Sequence, residues 1–148
     1  MIASNFSFLT DDWQDLSKLG KLAEDNLYDD PNTTIIKLRI FAEKMVDHIF
    51  IYHKLEEPTE KTQFNRLKIL EEKELADEEV LTFFHLLRKK GNQAVHEVIG
   101  SDEEAKGLLK KAYQLALWFM NNYGETDFKS PEFRMPEKNN LNKSYVFD

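Results

Sequence analysis

An all-α fold, a five-helix bundle with an extended C-terminal tail, is what this 148-residue chain predicts. Three observations carry the prediction. Apolar residues recur at the helical period in five segments, no stretch of useful length alternates as a half-buried strand would, and helix start signals follow short connections. The chain is 41% hydrophobic and holds eleven Phe and two Trp, too much apolar material to leave in water. It is therefore expected to fold as one domain with a sizeable core.

The first helix is predicted from Thr10 or Asp11 as N-cap to about Tyr28, with Trp13, Leu16, Leu19, Ala23 and Leu27 near the helical period. Asp30-Pro31 then supplies a cap and a first-turn proline. No Gly or Pro occurs between Pro31 and Pro58, so the second helix should run to about His53 and be the longest. Ile35, Leu38, Ala42, Met45, Val46, Ile49 and Phe50 lie on one of its faces, with Arg39 and Glu43 beside them at ion-pair spacing. After a break at Leu55 to Pro58, Phe64, Leu67 and Leu70 mark a shorter third helix ending by Lys73. Asp77, Glu78 and Glu79 open the fourth, because carboxylates at a helix start satisfy free amides and favour the dipole. Ser101 to Glu104 has capping-box spacing and opens the fifth, which carries Leu108, Leu109, Ala112, Leu115, Ala116 and Phe119 and stops at Gly124. Pro131 and Pro136 favour an extended continuation, which divides the chain into a bundle domain at 1–124 and a Pro-containing tail or linker at 125–148.

Several function classes are excluded by composition. There are no cysteines, so disulfides and thiolate metal sites are out. The N-terminal residues lack the basic region and apolar run of a signal peptide, and the longest apolar run, Leu115 to Met120, is far too short to cross a bilayer. A cytoplasmic protein without membrane contact is expected. A net charge of −7 argues against a surface basic all over, so any nucleic-acid contact must be local. Lys89, Lys90, Lys106, Lys110 and Lys111 are the candidates for such a patch, with a solvated face as the leading reading. His48, His53 and His85 have neither HExxH spacing nor a nearby Cys, so no metal is expected, and no phosphate-loop motif or other cofactor signature occurs. Trp118, Phe119 and Tyr123 are expected in the core rather than as a stacking platform.

The stretch RKKGNQAVHE, residues 88 to 97, carries the one polar constellation worth weighing. With Val80 at the origin and about 100° per residue, Val80, Phe84, Leu87, Gly91 and Ala94 point toward the core, while Arg88, Asn92 and His96 form a flank turning from the core margin toward solvent. Gly91 falls on the core side, where a missing side chain lets a neighbouring helix approach. The flank admits two uses. As chemistry, His96 would move a proton at a ribose hydroxyl, Arg88 would stabilise charge on a phosphate and Asn92 would orient either. As structure, the leading reading, Arg88 would pair with a carboxylate of another helix while Asn92 and His96 hydrogen-bond across a helix interface.

Three blocks in order, IKLRIFAEKMVDHIF (36 to 50), LLRKKGNQAVHE (86 to 97) and LALWFMNNYGETDFKSPEF (115 to 133), resemble the helical module at the N-terminus of type I restriction enzyme R subunits and some related helicases. That module is similar in turn to HEPN domains, which implies a HEPN-like bundle. In HEPN nucleases an Arg stands five to seven residues before the His, usually with Asn just after the Arg. Here Arg88 stands eight before His96, Asn92 is displaced, and Lys90, which has the closer spacing, is the wrong residue. The resemblance therefore implies a non-catalytic accessory module, docking on a partner or contacting nucleic acid beside a motor and nuclease. The parent protein would be an ATP-dependent type I restriction endonuclease. Arg39, Arg88, Lys89, Lys90, Asn92 and His96 are the candidate contact residues, and Arg39 is a candidate to join the groove of Arg88. Implied partners are other domains or subunits of a restriction–modification complex, DNA or RNA, and a second copy of the chain. The alternative is a stand-alone, metal-independent HEPN-type ribonuclease using Arg88, Asn92 and His96.

Overall fold

Asp30 and Pro31 start the longest helix of the chain, and everything else is arranged around it. In the computed structural model, which describes residues 3–138, a 3-10 turn at Asp11–Trp13 leads into α1 (Gln14–Asp25), followed by α2 (Pro31–His53), α3 (Gln63–Glu72), α4 (Glu78–His96) and α5 (Asp102–Tyr123). Among the described residues there is no strand. The helix α2 packs against all four others. Its sequence explains the position. Buried residues Thr34, Ile35, Leu38, Phe41, Ala42, Met45, Val46, Ile49 and Phe50 cover more of its circumference than one narrow stripe, as a central helix needs.

The caps follow local chemistry. The Asp30 carboxylate accepts from the Thr33 amide, Thr62 from Asn65, Asp77 from Val80 and Ser101 from Glu104. The capping box at Ser101 is only half made. The Glu104 carboxylate reaches across to Lys90 instead, 2.8 Å away on α4. The first helix departs most from expectation: Thr10 caps a 3-10 turn without a side-chain bond, and α1 ends at Asp25, three residues before Tyr28. The chain from Asn26 to Asp30 continues as turns held by backbone bonds, and Asp30, at φ −150 and ψ 72, stays out of the helical region that a following proline disfavours.

The core contains most of what the helical wheels placed there, with additions, while Trp13, Leu19, Trp118 and Tyr123 are only partly buried against it because they lie near its edge. Phe6 and Leu9, upstream of any helix, are fully buried, and Tyr113 is nearly so. Phe64 is the exception in the other direction. It lies in the first turn of α3 and is 51% exposed, because Leu67 and Leu70 take the face that looks inward. Beyond Gly124 a turn at 125–128 leads into residues 129–138, which form neither helix nor strand and lie along the bundle, and the rest of the predicted tail, 139–148, lies outside the described residues. Tyr113 and Tyr28 donate to the carbonyls of Pro131 and Pro136, and Asn5 exchanges two 2.7 Å bonds with the Arg134 backbone.

Candidate functional site

The helix α4 runs unbroken through Gly91, and the reason lies across the interface. A Cβ on Gly91 would stand 2.3 Å from Cβ of Arg39 on α2, so the two helices approach as closely as a bare α-carbon permits. Arg39 crosses above Gly91. Its Nη1 donates to Oδ1 of Asn92 at 3.0 Å, and its Nε lies 3.8 Å from Glu43, within ion-pair range but without a hydrogen-bond partner of its own. Arg39, Glu43, Gly91 and Asn92 thus form one contact between two helices, and Arg39 meets the stripe through Asn92.

Arg88 turns elsewhere. Its guanidinium lies over the ring of Phe64 on α3, 5.3 Å from the centroid, and its Nε donates to Nδ1 of His85 at 3.3 Å. Burial, with the charges of Arg88 and Lys89, holds the His85 imidazole below its ordinary range against a weaker upward pull from Glu71. A neutral ring is what the geometry requires, since Nδ1 must keep its lone pair to accept from Arg88. His96 is exposed, the last residue of α4, and about 12 Å of helix rise separates it from Arg88. The stripe is therefore divided among three surroundings. Asn92 serves the α2–α4 contact, Arg88 the α3–α4 contact, and His96 stands in solvent.

The lysines divide as well. Lys90 pairs with Glu104 on α5, and Lys106 pairs with Glu103 at 3.3 Å and lies over the Tyr28 ring. Lys111 lies over Phe83, while Lys89 and Lys110 are exposed. The hydrogen bond to Glu103 holds the Lys106 ammonium above its ordinary range. Three of the five lysines in the proposed basic patch are thus matched by the chain's own carboxylates and rings. A buried arginine had no part in the sequence reading: Arg66 on α3 is 5% exposed, lies over Phe50, donates to Asp47 at 2.5 Å and has Glu57 3.1 Å from its Nε, where the N–H is not aimed at the carboxylate. It fastens α3 to α2. Its signal was an arginine at the inward spacing of Leu67 and Leu70 in a segment with few apolar residues.

A concave site lies at the other end of the bundle, where the N-terminal segment meets the end of α2 and the end of α5. The cleft has a volume of ≈ 670 Å³, and its walls include Phe8, Trp13, Phe119, Tyr123 and Phe128. Trp13 meets Phe119 edge-on at 5.2 Å, and Tyr52 meets Tyr123 edge-on at 5.0 Å. His48, in the lining, has Nε2 2.9 Å from both carboxylate oxygens of Asp15, and His53 shares a 2.9 Å hydrogen bond with the Tyr123 hydroxyl. Burial and the neighbouring Tyr52 hold the Tyr123 hydroxyl above its ordinary range. Three distant segments build this site, so no single window of the sequence announced it. The one local trace is Ile51-Tyr52, apolar residues off the core stripe of α2, 74% and 64% exposed. Among the described residues no group of three or more His, Asp or Glu side chains is placed to hold a metal ion.

The class defined by fold and site is an all-α bundle module whose conspicuous polar residues mostly join helix to helix. Residues 21–121 match the family described as Domain of unknown function (DUF4145), and the chain belongs to that family. It is also similar to the type I restriction enzyme EcoKI endonuclease subunit of Escherichia coli (strain K12), with 36% identity over 139 residues. Those residues are 93% of this chain and 12% of that subunit, so the chain spans about an eighth of the relative it matches. The kinship with type I restriction subunits that the three sequence blocks suggested is thus shown. No solved structure matches.

Proposed function

We propose that this chain is a non-catalytic accessory module of a type I restriction R subunit or a related helicase, HEPN-like in its bundle, working in the cytoplasm by docking on other domains or subunits of the complex. The observation that carries the reading is the use made of the polar stripe. A general acid, a phosphate-binding arginine and an orienting amide must converge on one reacting group. Here Asn92 accepts from Arg39, Arg88 rests on Phe64 and His85, and His96 stands apart in solvent. DNA cleavage and ATP hydrolysis belong, on this reading, to other parts of the parent protein, since this chain has no phosphate loop.

Docking on protein is favoured over nucleic-acid contact because Lys90 and Lys106, central to the basic patch, are already paired with Glu104 and Glu103 on a chain of net charge −7. The direct test is a binding titration of the purified chain against the other subunits of its restriction–modification complex, with short duplex DNA and RNA in parallel. Saturable binding to a subunit that survives moderate salt is expected. Binding only to nucleic acid, with a steep salt dependence, would overturn the docking branch.

A further inference from the structure

Most cationic side chains that lie over an aromatic ring in this molecule serve packing. Arg66 lies over Phe50, Arg88 over Phe64, Lys106 over Tyr28 and Lys111 over Phe83. The cleft at the end of the bundle differs. None of the residues lining it is a lysine or arginine, although Trp13, Tyr52 and Tyr123 are among them, and among the described residues no cation lies over these rings. Three carboxylates, Asp11, Asp12 and Glu125, line it, and all three are exposed. His48 is the one basic group, and Asp15 holds it. A negative rim around ring faces attracts a cation twice over, through Coulomb attraction and through the ring quadrupoles. The same rim repels phosphate, so the rings do not suit nucleobases carried on a nucleic-acid backbone.

We infer that this cleft is the docking pocket for an arginine or lysine side chain presented by a basic, apolar-flanked segment of a partner protein. The cationic head enters between Tyr52, Trp13 and Tyr123 under the carboxylates, and the flanking apolar residues lie on Ile51, which is largely exposed. This rests on the docking reading for its biological setting, but the pocket chemistry can be tested without a partner subunit. The probe is a blocked hexapeptide, acetyl-Gly-Leu-Arg-Leu-Arg-Gly-amide, titrated into the full chain while the Trp13 indole N–H is followed by NMR, assigned with Trp13→Phe. Two matched peptides replace arginine by citrulline, which keeps the shape and loses the charge, or by glutamate, and a short oligo-dT serves as the anionic aromatic ligand. The arginine peptide is expected to saturate with a dissociation constant on the order of 1 mM, and the citrulline peptide to bind at least about tenfold more weakly.

Tyr52→Ala and the double change Asp11→Asn with Asp12→Asn should each weaken the arginine peptide by about five- to tenfold with an unchanged helical spectrum, since all three side chains are exposed. Equal binding of the citrulline peptide, preferred binding of the glutamate peptide or oligo-dT, or no saturation by any peptide would each overturn the inference. Its failure is distinguishable from failure of the docking reading. A chain that binds partner subunits equally well as Tyr52→Ala keeps docking and loses this pocket, whereas one that binds the arginine peptide and no subunit keeps the pocket and loses docking.

Discussion

Gly91 and Gly107 sit in consecutive long helices, yet the same substitution should act on them in opposite directions. At Gly91 a methyl would collide with Cβ of Arg39, which is fixed to the α2 backbone and can yield only if the helices part. Overpacking of that kind costs about 1–3 kcal/mol and outweighs the helix-propensity gain of about 1 kcal/mol, so Gly91→Ala should lower the melting temperature. At Gly107 a Cβ would meet nothing within 4 Å, so Gly107→Ala should gain about 0.5–1 kcal/mol. Thermal melts of the two variants check both signs. His85 sets a pH dependence. Because the folded chain holds it below its ordinary 6.5, the unfolded chain binds more protons as the pH falls below that value. The stability His85 contributes is complete above about pH 6.5 and is lost as the pH falls through the lowered value. Urea unfolding across that range should show a shallower acid decline for His85→Gln, and an equally steep decline would remove His85 as its source.

Helix ends are where the sequence was most and least informative. The caps Asp30, Asp77 and Ser101 were legible because a cap is made by residues three apart, and the structure shows each accepting from the expected amide. The ends of α2 and α3 were legible as well, at His53 and Glu72 against the expected His53 and Lys73, but the way the chain stops there was not. In both, the chain stops through a left-handed residue, Lys54 at φ 54 and Glu74 at φ 56, followed by a bond from the next amide back to the fifth carbonyl before it: Leu55 to Phe50 and Leu75 to Leu70, each 2.9 Å. That is a Schellman stop at residues other than the usual glycine or asparagine, so composition gives no sign of it. The exposed side chains make Lys54→Gly and Glu74→Gly simple tests. Each should raise stability by about 0.5–1 kcal/mol by removing the left-handed penalty, net of the entropy glycine adds to the unfolded chain. Chemical denaturation reads this directly, and a loss in both variants would contradict it. Phe6 and Leu9 escaped the sequence reading for a related reason, since two buried side chains in a short segment make no period.

At the scale of the whole molecule, five helices and their order were legible because each is long and amphipathic, and their packing around α2 follows from the breadth of its apolar surface. Part of the α4 contact was legible too. The wheel put Gly91 on the inner side and foresaw a close neighbour, but only the three-dimensional arrangement identifies Arg39 as that neighbour and turns Arg88 toward Phe64. The aromatic cleft was not legible, since its walls come from residues as far apart as Phe8, Tyr52 and Phe128. Whether the polar stripe of α4 is packing or chemistry decides what kind of protein this is. The measurement that decides it is cleavage of end-labelled single-stranded RNA by the purified chain in chelator, compared with His96→Ala. Packing predicts no cleavage above background from either protein. Cleavage by the unmodified chain that falls by about a hundredfold or more in His96→Ala, the loss expected for a general acid or base, would contradict it.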